Sequence, residues 1–135
     1  MDPLLPPFGL HTVTPYLVAD DVSGLISFLS KVFDASLRGD PKIRENGSIQ
    51  HAEITIGNSV IMMGEPMEGI ESTRSMLYVY VEDCDQVFAD ALSAGAESVI
   101  EPQLYPHGDR YGGVRDFAGN TWWIVTHTQK PSHGG

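Results

Sequence analysis

Apolar residues recur at helical spacing in two places. Val22, Leu25, Ile26, Leu29, Val32 and Phe33 follow Asp20 and Asp21 at intervals of three or four, and predict an amphipathic helix with an aspartate N-cap. Val87, Phe88, Ala91 and Leu92 repeat the pattern after Asp83. Gln86, three residues beyond Asp83, fits a capping box, and Gly95 stops that helix. Elsewhere the period is two. Thr12 to Val18, IQHAEITI, SVIMMGEP and MLYVYVE read as strands, with Gly57 and Asn58 forming a tight hairpin between the middle two. Further strands are expected over roughly 97–104 and 110–116, and a turn at Ala118, Gly119 and Asn120 leads into the last, TWWIVTH. The stretch from Arg38 to Ser48 reads as turns.

The chain repeats itself in pattern. A shift of 62 residues places Asp21 on Asp83, Leu25 on Val87, Ile26 on Phe88 and GNS (57–59) on GNT (119–121). Each half reads strand, helix, then two or three strands, and neither is long enough to close a core alone, so both are expected to share one structure. The boundaries implied are a tail over 1–11, a single domain over 12–128 and a disordered tail over 129–135. Within the domain, one module spans 12–64, a linker 65–75 and a second module 76–128.

Composition narrows the partners. The chain has 135 residues, one cysteine and a formal net charge of −10, with eight Lys and Arg against eighteen Asp and Glu. This field opposes polyanions, so neither nucleic acid nor an anionic membrane is an expected partner, and it favours cationic small molecules. Cys84 cannot pair within the chain, which fits a reducing compartment and a buried, inert thiol. The start MDPLLPPFGL lacks a basic segment, and no long apolar run follows. The protein is expected to be soluble and cytoplasmic.

PYLVADDVSGLISFLSKVF, HAEITIGNSVIMMGEP, and YVEDCDQVFADALSAGA followed by GGVRDFAGNTWWI together resemble the glyoxalase, bleomycin-resistance and extradiol dioxygenase superfamily over about residues 12–127. Phe117 stands where the family's final turn usually carries proline. The resemblance implies an α+β protein of two tandem βαβββ modules forming a curved mixed sheet with a cup-shaped cavity. It also implies a homodimer. Enzymes of this family hold a divalent metal in the cup on His, Glu or Gln from the first and last strands of each module. Those positions fall here on Thr14, Met62, Met76 and Trp123. None is an ordinary ligand for zinc, nickel, manganese or iron(II), and a slip of one residue brings in none, so no metal and no other cofactor is expected.

If those four residues face the cup, alternation sends Tyr16, Tyr78, Tyr80, Val125 and His127 there as well, and leaves Val13, Leu17, Leu77, Val79, Val81, Trp122 and Ile124 beneath the helices. On IQHAEITI it turns His51, Glu53 and Thr55 toward the cup. The wall is then aromatic with a few polar tips, suited to stacking a ligand; the same rings could also fill the cup with one another. Arg110 and Tyr111 complete the candidate binding set, with Arg110 or Arg115 able to clamp a carboxylate or phosphate. Arg115 beside Asp116 also reads as a structural ion pair, and His11, His107 and His133 carry no readable signal.

The leading reading is a metal-independent protein that binds, and sequesters, an aromatic or cationic small molecule. The alternative is an enzyme of glyoxalase, dioxygenase or epimerase type. It would use relocated ligands drawn from His51, Glu53 and His127, or metal-free acid–base catalysis by His51 and Glu53.

Overall fold

A computed structural model describes residues 6–7 and 9–128, so the tail expected over 129–135 lies outside the described residues. The chain divides into two compact units, 1–73 and 74–135. The first runs β1 (Tyr16–Val18), α1 (Val22–Phe33), β2 (Ser36–Leu37), β3 (Lys42–Ile43), β4 (Ile49–Ile56) and β5 (Ser59–Gly64). The second runs β6 (Met76–Tyr80), α2 (Cys84–Ser93), β7 (Glu97–Leu104), β8 (Asp109–Arg115) and β9 (Thr121–His127). The chain is thus an α+β protein of two tandem βαβββ modules, in the first of which the strand after the helix is broken into β2 and β3.

Both helices start where an aspartate satisfies a free backbone N–H. Asp21 accepts from the Gly24 amide at 2.9 Å and Asp83 from the Gln86 amide at 3.2 Å; such caps contribute about 1 kcal/mol each. The expected capping box is only half made, because the Gln86 side chain turns forward to Asp90 at 2.9 Å. Gly95 follows α2 with φ 106°, a backbone that a β-carbon would strain.

Each unit has one mixed sheet. The first is ordered β1-β5-β4-β2, with β3 also on β4, and the second β6-β9-β8-β7. β1 runs parallel to β5 and β6 parallel to β9, while the other pairs are antiparallel. One face of each sheet carries its helix. Val22, Leu25, Leu29 and Val32 of α1 are buried, as are Leu17, Ala52, Ile54, Ile61 and Met63 of the strands. Cys84, Phe88 and Ala91 of α2 are buried, with Val114, Trp122 and Ile124. Each fully buried Leu, Ile, Val or Phe contributes about 1.5–3 kcal/mol.

The first strand is shorter than the pattern predicts. It begins at Tyr16, and Val13, expected beneath the helix, is 82% exposed. Pro15 explains the stop: its carbonyl accepts from the Met62 amide at 2.9 Å, but it has no N–H to carry the ladder further back. The turn-rich stretch 38–48 holds β3, and the preceding β2 pairs with Thr55 and Ile54. Residues 65–73, expected as linker, are fastened to the first unit. Glu65 accepts from the amides of Val22 (3.0 Å) and Ile49 (2.7 Å), and Thr73 exchanges two hydrogen bonds with Val18.

Asp116 makes no ion pair with Arg115. Its buried carboxylate accepts from the Ala118 and Asn120 amides, the Asn120 side chain and, at 2.8 Å, the indole N–H of Trp122. The turn holds without the family's proline because these donors and Gly119, at φ 92°, define it.

Candidate ligand-binding faces

The faces opposite the helices carry the side chains capable of chemistry, and the strand register matches them point for point. Met62 lies between Tyr16 and Glu53 on the first sheet. Trp123 lies between Tyr78 and Gly113 on the second. Two residues back along β4 and β8 are His51 and Tyr111, on the same faces by alternation.

On the first face the polar groups satisfy one another. His51 Nε2 is 2.9 Å from Glu53 Oε2, and Arg38 Nη1 donates to the other Glu53 oxygen at 2.7 Å. The Glu53 carboxyl is held below its ordinary value chiefly by the His51 hydrogen bond, with Arg38 adding to it and burial opposing. The Tyr16 hydroxyl lies 3.3 Å from His51 Nδ1 and donates to the Gln50 carbonyl. Tyr16 lies flat because Gly64 leaves it room: a β-carbon there would come within 2.6 Å of the hydroxyl. Tyr16 and His51 border a depression of about 550 Å³ shared with Lys42, Arg44, Met67 and Ile70.

The second face is aromatic. Tyr78 and Trp123 have ring centroids 6.3 Å apart, and Tyr111 lies 6.3 Å from Tyr78 and 6.0 Å edge-on from Trp123. Tyr105 stacks on Tyr111 at 4.0 Å, nearly parallel at 9°, and the His107 ring lies beside the pair, 6.1 and 6.4 Å from the two. Surrounding side chains displace water from the Tyr111 hydroxyl and push its pKa up, with Tyr105 adding to the effect. Gly113 permits the arrangement, since a β-carbon there would stand 2.5 Å from the Trp123 ring. Met76, Tyr78 and Tyr80 are exposed along β6, an edge strand, and Val125 between Tyr80 and Tyr111 in register is fully buried.

Three expected site residues are placed differently. Thr14 precedes β1 and is part of no strand. Arg110 turns away from Tyr111, as alternation requires, and makes a bidentate pair with Asp85 of α2 at 2.8 and 2.9 Å. The pairing lowers the Asp85 pKa and raises that of Arg110, so both stay charged and Arg110 is committed to the helix side. His127 bonds Asp109 through Nδ1 at 2.6 Å, and is exposed at the end of β9. Arg38, Tyr105 and His107 were absent from the expected set. Arg38 could have been found only by pairing β2 with β4, and the Tyr105–Tyr111 stack only from the β7–β8 turn.

The donor set does not fit the metal that the fold's enzymatic members carry. Met62, Met76 and Trp123, with Tyr16 and Tyr78 beside them, offer thioethers, an indole and phenols in place of imidazole and carboxylate. Within either unit, among the described residues, no group of three or more His, Cys, Asp or Glu is placed to hold a metal ion. Glu53, the nearest carboxylate, is already engaged by His51 and Arg38.

Paired βαβββ modules, each with an open sheet face opposite its helix, define the class. The model of the Glyoxalase/Bleomycin resistance protein/Dioxygenase superfamily matches residues 9–124, and the chain belongs to this family. It is 33% identical over 123 residues to an uncharacterized protein of Mycobacterium bovis, covering 82% of this chain and 79% of that one. Among solved structures it is similar to TioX from Micromonospora sp. ML1, with a TM-score of 0.72 and 27% identity, covering 85% of this chain and 97% of that chain. The fold is also that of the fosfomycin resistance protein FosX from Mesorhizobium loti, with a TM-score of 0.63 and 15% identity over 86% of this chain and 91% of that one. Among the described residues no helix is long and apolar enough to cross a membrane.

Proposed function

We propose that the protein binds a small aromatic compound on the open face of its second sheet, without a metal, as a sequestering member of its family. The observation that carries this reading is the arrangement of Tyr78, Tyr111 and Trp123 about the point where an enzymatic relative would place a metal ligand. Ring faces with hydroxyl and indole tips both hold and orient a planar ligand. The test is calorimetry of chelator-treated protein with a panel of neutral, anionic and cationic bicyclic aromatics. Binding should persist in chelator and weaken about three- to tenfold in Trp123→Ala. Absence of binding across the panel, or affinities untouched by Trp123→Ala, would overturn the reading. A homodimer in the cytoplasm is part of this proposal, and sedimentation at micromolar concentration tests the assembly.

A second reading rests on the first face. His51 pairs with Glu53 beside the 550 Å³ depression, and the Tyr16 hydroxyl lies 3.3 Å from His51 Nδ1. Glu53, kept ionised, would hold the His51 Nε2 proton and leave Nδ1 to take a proton from an activated C–H of a hydroxyketone or 2-oxo acid. Solvent deuterium exchange into such compounds, resistant to chelator and abolished by His51→Gln or Glu53→Gln, would support metal-free proton transfer. Exchange that stops in chelator, or survives both substitutions, would remove it.

A further inference from the structure

We infer that the aromatic face of the second sheet ends in an anion-binding subsite formed by Arg74 and Arg115, so that its ligand is an aromatic carboxylate. This deepens the proposed binding role and rests on it.

Residues 74–128 carry eight acidic side chains and only three basic ones, Arg74, Arg110 and Arg115. In so acidic a segment every arginine has abundant opposite charge available. Arg110 takes it, bound in two-point fashion to Asp85. Arg74 and Arg115 do not: among the described residues neither side chain has an ion-pair or hydrogen-bond partner, and both line one depression of about 470 Å³. Neither acid lining that depression engages them. The Asp116 carboxylate is filled by amide and indole donors, and Glu97, although opposite Arg115 in register, forms no ion pair with it. Met76 and Phe117 supply apolar surface, and the Arg74 stem lies against Gly119, where an added β-carbon would meet its Cγ and Nε at 3.3 Å.

The position joins this depression to the aromatic face. Met76, Thr121, Arg115 and Glu97 are side by side across β6, β9, β8 and β7. Two residues along the same strands stand Tyr78, Trp123 and Gly113, on the same face. The step is about 7 Å, the distance from a ring system to the guanidinium that binds its carboxylate. Guanidinium is planar, always charged and weakly hydrated, and so matches a carboxylate by paired hydrogen bonds.

Calorimetry with 2-naphthoate, its neutral amide and 2-naphthylmethylamine separates this inference from the reading beneath it. Wild type should bind the naphthoate about tenfold or more tighter than the amide. The preference should fall as salt rises, and disappear in Arg74→Gln/Arg115→Gln while amide binding is retained. Both arginines are at the surface, and circular dichroism checks that the double variant is folded. Equal binding of acid and amide, or tighter binding of the amine, would overturn the anion subsite and leave aromatic binding standing. Binding of none of the three would overturn both.

Discussion

At matched points the two sheets carry opposite chemistry. Where the first has His51 and Glu53, the second has Tyr111 and Gly113; where the first has Met62, the second has Trp123. Tyr16 and Tyr78 are the position shared by both. The difference lies in what is already satisfied. On the first face Arg38, His51, Glu53 and Tyr16 close a polar network on themselves, and a ligand would have to compete with it. On the second, aromatic rings remain open and two arginines lack partners. One glycine on each face, Gly64 beneath Tyr16 and Gly113 beneath Trp123, lets a ring lie across the strand. The same architecture thus yields one face closed by a polar network and one lined with aromatic rings.

Adding a methyl group at Gly113 is the severest way to break the comparison. Gly113→Ala should destabilise the protein by about 1–3 kcal/mol in urea unfolding, because the Trp123 ring must leave its place, and should weaken aromatic binding as well. Glu53→Gln attacks the opposite face and should cost about 1 kcal/mol at neutral pH. Its sign with pH follows from the depressed folded-state pKa. The contribution of Glu53 is present above its ordinary value of 4.5 and is lost as pH falls through the lower folded value. The stability difference between wild type and Glu53→Gln should therefore shrink on acidification, and a difference that grows would contradict the assigned pairing.

Smaller effects sharpen the contrast. Trp123→Ala should weaken aromatic ligands about three- to tenfold and lower the urea midpoint, though by less than loss of Trp122 would, since Trp123 is only partly buried while Trp122 beside it is fully buried. Met62→Leu, at the matched point of the first face, should shift stability by less than about 0.5 kcal/mol and leave binding unchanged. Equal losses from Trp123→Ala and Met62→Leu would mean that the two faces are not distinct in function.

Strand boundaries and partners separate what could be read from what could not. Hydrophobic periodicity located both helices, their aspartate caps and the hairpin at Gly57, because these depend on neighbours within a few residues. The same alternation divided Trp122 from Trp123 and placed His51 with Glu53. It failed at Val13, where Pro15 ends the ladder; at Arg110 it held, setting that side chain opposite Tyr111 and toward Asp85, 25 residues away, so the two neighbours could not share one site as expected. The expected Arg115–Asp116 pair failed for a related reason: adjacent residues in a strand point to opposite faces, and Asp116 turned inward to Trp122.

The sequence by itself determined the repeated module, the mismatch with the family's metal ligands and the aromatic character of the second half. Each follows from residue identity and short-range period. Only the tertiary structure decided which polar groups are spent and which are open. Arg38 reaches Glu53 through the β2–β4 pairing, Tyr105 reaches Tyr111 across the β7–β8 turn, and Arg74 and Arg115 come to line one depression beside Gly119. Those meetings depend on strand register and chain reversal, which no local pattern encodes.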